Sequence, residues 1–399
     1  MLTGKKIILG VSGGIAAYKM TDVASSLFKL GADCHVVMTK HAEKFITPEP
    51  FRILTKNPVY TDVFDDFHEE GYDVPHISLG RTADLILIAP ATANVIGKLA
   101  HGIADDMLTT VVLPARCPIL IAPAMNTYML ENPVVQENLE ILRRRGYHII
   151  EPASGMLACG DEGKGKLPDP EVLVEEVLYA CEKEKDLAGK RFLVSAGPTQ
   201  EAMDPVRYIT NHSSGKMGFS VARMAARRGA EVVLVAGPVQ LKTPVGVKRI
   251  DVVSAADMAE AVLREWKTAD CVVMSAAVAD YTPLEAADQK IKKKEGDLSI
   301  PLKRTTDILA SLGKEKREGQ VICGFSMETE NLISNSLAKL EKKNADMICA
   351  NSLRTEGAGY QVDTNIVTIL TREGNTELPL LSKDETADRI LDVIKEKLR

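Results

Sequence analysis

Short, almost uninterrupted apolar runs punctuate this chain, and each is followed by small or polar residues and then by a stretch of helical spacing. KKIILGV at residues 5–11 opens into Ser12-Gly13-Gly14 and IAAYKMTDVASSLFKLG, which stops at Gly31, and CHVVMT follows directly. Runs that are apolar on both faces suit strands covered on either side, so strand, turn, helix and strand make a βαβ unit. The pattern recurs at ADLILIAP (83–90), ILIAPA (119–124) and YHIIEP (147–152). The expected fold class is α/β, with doubly wound, mostly parallel sheets and ligands at the carboxyl ends of the strands. Ser12, Thr39, Thr92, Asn94, Asn126 and Cys159 all fall at or beyond such ends. The glycine turn at Ser12–Gly14 has the layout of an anion site at a helix start, although it is not G-x-G-x-x-G.

At 399 residues the chain exceeds one ordinary core. The helical stretch 171–190 ends in a charged, polar segment, which places a boundary near residue 188 and gives domains 1–188 and 189–399. The second half restarts with the strand KRFLVS, then carries a long polar connection, residues 196–218, whose paired serines and Asn211 suit a phosphate or carboxylate at the next helix start. The strands EVVLVAG, DCVVMSAAV, QVICGFS and ADMICA follow, then a hairpin turned at Glu373-Gly374-Asn375 and a terminal helix. Lys290-Ile-Lys-Lys-Lys294 reads either as a solvated face or as a clamp on a polyphosphate.

A formal charge of -6 argues against a nucleic-acid binder, and no run approaches the roughly twenty apolar residues of a membrane span. Seven cysteines without a C-x-x-C pair give neither a disulfide framework nor a zinc ribbon, which suits a reducing, cytoplasmic setting. Cys34, Cys271, Cys323 and Cys349 lie in apolar runs and read as small hydrophobes, while Cys117 and Cys181 sit in polar connections. Cys159 stands apart in the glycine-dense stretch 154–168, where Lys164 and Lys166 favour a thiolate; that stretch reads either as a working loop or as a surface loop with an incidental thiol. His76, just ahead of ADLILIAP, reads taken singly as a structural histidine sooner than as a catalytic one.

Taken in order, SGGIAAYK, His76, APATAN, the P-x-M-N-x-x-M string at Pro123–Met129 and ACGD around Cys159, then GPT-x-E-x-x-DPVR-x-ITN-x-SSG-x-MG, SAAVADY and KIKK, closely resemble one family over nearly the whole chain. It is the family of bifunctional bacterial phosphopantothenoylcysteine decarboxylases and phosphopantothenate–cysteine ligases of coenzyme A biosynthesis. The resemblance implies a flavodoxin-like decarboxylase domain followed by a Rossmann-like ligase domain. It assigns FMN to Ser12, Gly13, Thr39, Thr92, Ala93, Asn94 and Ala124, the substrate carboxylate to Asn126, the base to His76 and the closing proton to Cys159. In the ligase half it assigns CTP to Asp280, Lys290, Thr306, Asp307, Ile308, Leu309, Phe325, Lys339 and Lys343, the acyl-cytidylate step to Asn211, and a magnesium ion whose ligands it does not name. The implied partners are 4'-phosphopantothenate, cysteine and CTP, and the implied assembly is a homo-oligomer, a dodecamer in the family. The family string normally ends in tryptophan where Leu130 stands here, so that edge of the substrate pocket is expected to be lined differently.

The chemistry agrees with the assignment. Loss of carbon dioxide from a cysteinyl end leaves a carbanion without an electron sink, and prior oxidation of the thiol to a thioaldehyde provides one. A carboxylate joins an amine only after it receives a leaving group, which an acyl-cytidylate supplies. Two rivals explain less. A tandem NAD(P) oxidoreductase needs a glycine spacing that GVSGGI at residues 10–15 lacks, and a flavin-binding regulatory protein leaves the second half, Asn126 and Cys159 without a task.

Overall fold

The computed structural model describes residues 2–64, 74–158, 160–182, 184–293, 298–328, 330–352 and 362–398; Cys159 and Lys294, both singled out above, lie outside the described residues. The chain divides into two compact units, residues 1–183 and 184–399.

The first unit runs β1 (Lys6–Val11), α1 (Met20–Lys29), β2 (Asp33–Met38), α2 (Glu49–Thr55), β3 (Val59–Tyr60), α3 (Pro75–Thr82), β4 (Leu85–Ala91), α4 (Ala93–His101), α5 (Met107–Val112), β5 (Ile119–Pro123), α6 (Thr127–Glu131), α7 (Pro133–Arg144), β6 (His148–Ile149), β7 (Ala153–Met156), β8 (Glu162–Lys166) and α8 (Pro170–Cys181). Its parallel sheet has the order β3-β2-β1-β4-β5-β6. Without the two-residue edge strand β3 this is the flavodoxin order, and it reverses between β1 and β4. The period of two sends Ile7, Leu9 and Val11 into one core, with Val23 and Leu27 of α1 and Leu173 and Val177 of α8. Ile8, Ile86 and Ile88 enter the opposite core, with Val95, Ile96 and Leu99 of α4 and Leu139 and Leu142 of α7. Burying each such side chain contributes about 1.5–3 kcal/mol, so a strand that feeds both faces has no polar side to show.

The second unit runs β9 (Arg191–Ala196), β10 (Gln200–Ala202), β11 (Tyr208–Thr210), α9 (Lys216–Arg227), β12 (Glu231–Ala236), β13 (Val247–Asp251), α10 (Ala255–Glu265), β14 (Cys271–Met274), β15 (Tyr281–Pro283), β16 (Leu302–Arg304), α11 (Ile308–Lys314), β17 (Val321–Glu328), α12 (Leu332–Lys342), β18 (Met347–Ser352), β19 (Thr364–Asn365), β20 (Thr368–Thr371), β21 (Asn375–Glu377), β22 (Leu381–Ser382) and α13 (Lys383–Lys397). The main sheet, β13-β12-β9-β14-β17-β18-β20-β21, is parallel as far as β18 and antiparallel beyond it. Its order reverses between β9 and β14, the Rossmann pattern with a hairpin added at one edge.

Arg228, just past α9, has a side chain only 8% exposed, and it joins both ends of this unit. It donates to Asp186 at 2.9 and 2.7 Å, to Asp388 at 3.0 Å and to Asp392 at 2.8 Å. The hydrogen bonds from Arg228 draw the Asp186 carboxyl down to about 2, with Lys395 adding to the effect against the opposing cost of burial. Arg228→Ala leaves these carboxylates without their shared cation and is expected to cost about 3–5 kcal/mol in urea unfolding of the unit. Because the folded Asp186 titrates lower than an unfolded carboxyl, its contribution is complete above the ordinary range near ~4 and is lost as pH falls toward about 2. Arg228→Ala should flatten that acid limb, and an unchanged limb would assign the acid sensitivity elsewhere.

Candidate active sites

Between β1 and β4 the chain ends are knitted by one hydroxyl. Ser12 Oγ donates to Pro90 O at 2.6 Å and accepts from Thr92 N–H at 3.1 Å, which holds the glycine turn beside the start of α4. Gly13 is required here because a Cβ would run into the His41 backbone, 2.8 Å away. Thr39 extends β2 by donating its N–H to Val11 O at 3.0 Å, and its hydroxyl accepts from Ala42 N–H at 3.3 Å. These residues border a cavity of about 820 Å³ lined by Ser12, Gly13, Thr39, Thr92, Ala93 and Asn94 together with Lys40, Asp62, Lys98, Asp105 and Asp106. Ala93, Asn94 and Val95, the first turn of α4, border it, and a helix start favours an anion.

A second cavity, about 470 Å³, shares Gly13, Thr92, Ala93 and Met129 with the first. Its further lining is mainly apolar, from Ile15, Tyr18, Pro90, Ala124, Met125 and Met156, with Asn126, Ala158 and Lys166 also on its walls. A polar chamber meeting an apolar slot fits a molecule with a phosphorylated tail and a flat apolar ring, so the residues assigned to FMN fit that group.

The glycine-dense stretch supplies one wall as a hairpin, not a loop. β7 and β8 pair antiparallel with Gly155 opposite Gly163, and β8 lies against the segment after β5. Met125 N–H donates to Gly165 O at 3.0 Å and Thr127 Oγ1 to Lys164 O at 2.9 Å. A Cβ on Gly165 would strike the Met125 carbonyl, and its φ of +140° lies where side chains are strained. Lys164 forms a 2.6 Å ion pair with Glu151. Asn126 caps α6 by accepting from Tyr128 N–H at 2.9 Å, and its Nδ2 donates to Asp161 Oδ2 at 2.9 Å.

The structure does not gather every expected residue. His76 is the second residue of α3 and lines neither cavity; its Nδ1 is buried without a hydrogen-bond partner among the described residues. Leu130 is 5% exposed and packs into the core with Val95 and Leu139, so the position that departs from the family string lies off the cavity walls, contrary to the expectation that it would reline the pocket. Cys34, Cys271, Cys323 and Cys349 are buried, as their apolar runs require, whereas Cys181 closes α8 and packs against the core, where a polar connection was expected.

In the second unit the loops after β9 and β14 meet at the reversal point. Ala279 N–H donates to Thr199 Oγ1 at 3.0 Å, and Asn211 Nδ2 donates to Val278 O at 3.1 Å. The long polar connection is partly the β10–β11 hairpin, fixed by Asp204, which accepts from Val206, Arg207 and Ile291 N–H groups. One cavity of about 550 Å³ is lined by Asp280, Thr306, Asp307, Ile308, Leu309, Phe325, Lys339 and Lys343. An adjoining cavity of about 540 Å³ shares Asp280, Phe325 and Lys339 and adds Asn211 and the Ser213–Gly218 loop at the start of α9. Lys339 Nζ donates to Phe325 O at 2.8 Å, and Lys343 pairs with Asp307. Burial alone would raise the Asp307 carboxyl, but Lys343 and the Ala310 amide outweigh it and hold it low. Lys290 lines neither cavity; its neighbour Ile291 is tied to Arg207 through its carbonyl at 2.7 Å.

Sequence reading missed Lys216 and Lys383, which line the 540 Å³ cavity with the buried Asn351 and Asn365. Lys216 follows the serine–glycine turn and could have been read as part of it. Lys383 begins a helix far along the chain, and no local signal points to it. Burial pushes its amino group below the usual lysine range, with Lys216 adding to the effect.

The Flavoprotein family matches residues 1–181, and the DNA/pantothenate metabolism flavoprotein C-terminal domain matches residues 187–398. The chain is 48% identical over 398 residues to the coenzyme A biosynthesis bifunctional protein CoaBC of Bacillus subtilis, covering 99% of this chain and 97% of that protein. It is 46% identical over 402 residues to the protein of the same name from Vibrio cholerae, covering 100% and 99%. It is also 48% identical over 352 residues to a cysteine/cysteine sulfinic acid decarboxylase of an unknown prokaryotic organism, covering 87% and 98%.

Proposed function

The chain belongs to the family of coenzyme A biosynthesis bifunctional proteins, and from that premise we propose which residues carry each of its two activities. It is an enzyme of coenzyme A biosynthesis with phosphopantothenoylcysteine decarboxylase and phosphopantothenate–cysteine ligase activities. The ligase, carried by the second unit, acts first and joins cysteine to 4'-phosphopantothenate at the expense of CTP. The decarboxylase, carried by the first unit, then converts the product to 4'-phosphopantetheine; the division falls at residues 183–184, five residues before the boundary expected at 188. The reading includes a cytoplasmic setting and a homo-oligomeric assembly; no helix among the described residues is long and apolar enough to cross a membrane.

The observation that carries the decarboxylase assignment is the junction of a polar and an apolar cavity at Gly13, Thr92 and Ala93, with Asn126 on the apolar wall. Ser12, Gly13, Thr39, Thr92, Ala93, Asn94 and Ala124 would hold FMN there. When bound, FMN would supply the reversible two-electron oxidation that turns the substrate's thiol into the electron sink that loss of carbon dioxide requires. Asn126 holds the substrate's carboxylate through Nδ2, since Oδ1 is committed to the helix cap. His76 takes up a proton and Cys159 delivers the closing one.

In the ligase half, Lys339 and Lys343 with the amides of α9 offset the charge of a triphosphate, and Asn211 assists attack of the acyl carboxylate on it. Lys290 is assigned to the same triphosphate. Among the described residues no group of three His, Cys, Asp or Glu is arranged to hold a metal. Magnesium would be carried by the nucleotide phosphates, and Asp280, which lines both cavities, is a carboxylate within reach of that site.

Incubating the full chain with phosphopantothenate, cysteine, CTP and magnesium, then weighing the products, tests the reading. The expected product is 4'-phosphopantetheine, with CTP consumed and a flavin spectrum in the purified protein. Release of carbon dioxide from free cysteine at a comparable rate would instead align the chain with the relative named as a cysteine decarboxylase.

A further inference from the structure

The Asn126 amide nitrogen has a partner that none of these roles uses. Its Nδ2 donates to Asp161 Oδ2 at 2.9 Å, while Oδ1 is fixed by the Tyr128 amide at 2.9 Å. The nitrogen side is therefore the one that meets acceptors, and the acceptor it meets is a carboxylate. That is the functional group the decarboxylase substrate must present.

We infer that Asp161 is a resident stand-in for the substrate's carboxylate, and that productive binding exchanges one carboxylate for the other on the Asn126 amide. This rests on the reading of Asn126 as the group that holds the substrate's carboxylate. Two carboxylates on one nitrogen repel each other, so the exposed Asp161 and an incoming carboxylate exclude one another there. Only a ligand with its own carboxylate recovers the hydrogen bond that Asp161 gives up. Asp161 thereby sets the apparent affinity for the acid, and it has no equivalent effect on a ligand lacking that group. The hairpin that carries it is held by backbone groups, Met125 N–H to Gly165 O at 3.0 Å and Leu157 N–H to Asp161 O at 2.8 Å, which a change of side chain leaves in place.

The test uses the flavin-loaded full chain and its Asp161→Asn, Asp161→Ala and Asn126→Ala variants, with flavin absorbance as the check of folding. Removing the resident carboxylate should lower KM for phosphopantothenoylcysteine by about fivefold, less than a buried charged hydrogen bond would give because this one is exposed. The inhibition constant of 4'-phosphopantetheine, the product without the carboxylate, should stay as it is. A KM that is unchanged or raised in both Asp161 variants overturns the inference, and so does a parallel shift of KM and the inhibition constant, which is what a merely structural role produces. Asn126→Ala separates the two levels. If it leaves decarboxylation intact, the reading of Asn126 has failed and takes the inference with it. If it impairs decarboxylation while Asp161→Asn changes nothing, only the inference falls.

Discussion

Asn126→Asp is expected to reduce decarboxylation of phosphopantothenoylcysteine by about a thousandfold while CTP-dependent ligation proceeds at its usual rate. Aspartate is the informative replacement because it separates two duties of the side chain. Its oxygen still accepts from the Tyr128 amide, so the cap of α6, worth about 1 kcal/mol, is retained. The nitrogen that faces Asp161 becomes an oxygen, which places a third negative group where Asp161 and the substrate's carboxylate already compete. Losing one oriented donor to a reacting group costs about a hundred- to a thousandfold, and like-charge repulsion adds to it. The measurement is product analysis in a coupled reaction, with phosphopantothenoylcysteine accumulating. Equal loss of both activities would mean that the substitution unfolds the chain or that the sites are not separate.

Lys339→Met should give the opposite partition. Lys339 stands where the two ligase cavities join, and its amino group ties α12 to the Phe325 carbonyl on β17. Methionine keeps most of the length and apolar contact but removes both the charge and the tie. Ligation should fall by about a hundredfold, in line with the loss of one electrostatic contact to a transferring phosphoryl group. Supplied phosphopantothenoylcysteine should still be decarboxylated within about twofold, since surface and remote changes rarely exceed a few tenths of a kcal/mol. An unaltered ligation rate would remove Lys339 from the triphosphate's surroundings.

The parts of the fold legible from sequence were those where one local signal suffices. β1, β4 and β5 announced themselves because strands feeding two cores admit no polar alternation. Ser12, Thr92 and Asn126 were found because chain order places them after such strands, where a doubly wound sheet opens. The hairpin of β7 and β8 stayed hidden because Gly155, Gly163 and Gly165 suppress any strand preference, and its pairing depends on Met125 and Thr127, nearly forty residues earlier. The same holds for Lys383 and Asn351, which share a cavity with the Ser213–Gly218 loop only after the sheet has formed. His76 was legible as a residue of interest, but its position on α3, off both cavity walls, was not.

The Arg228 cluster has a practical corollary for engineering. By bonding Asp186 at the head of the second unit and Asp388 and Asp392 on its last helix, it brings that unit's entrance and exit to one spot on its surface. Termini so placed permit circular permutation: a short linker from α13 back to residue 186 would close the ring, and new ends could be cut in an exposed turn such as the one at Glu373–Asn375.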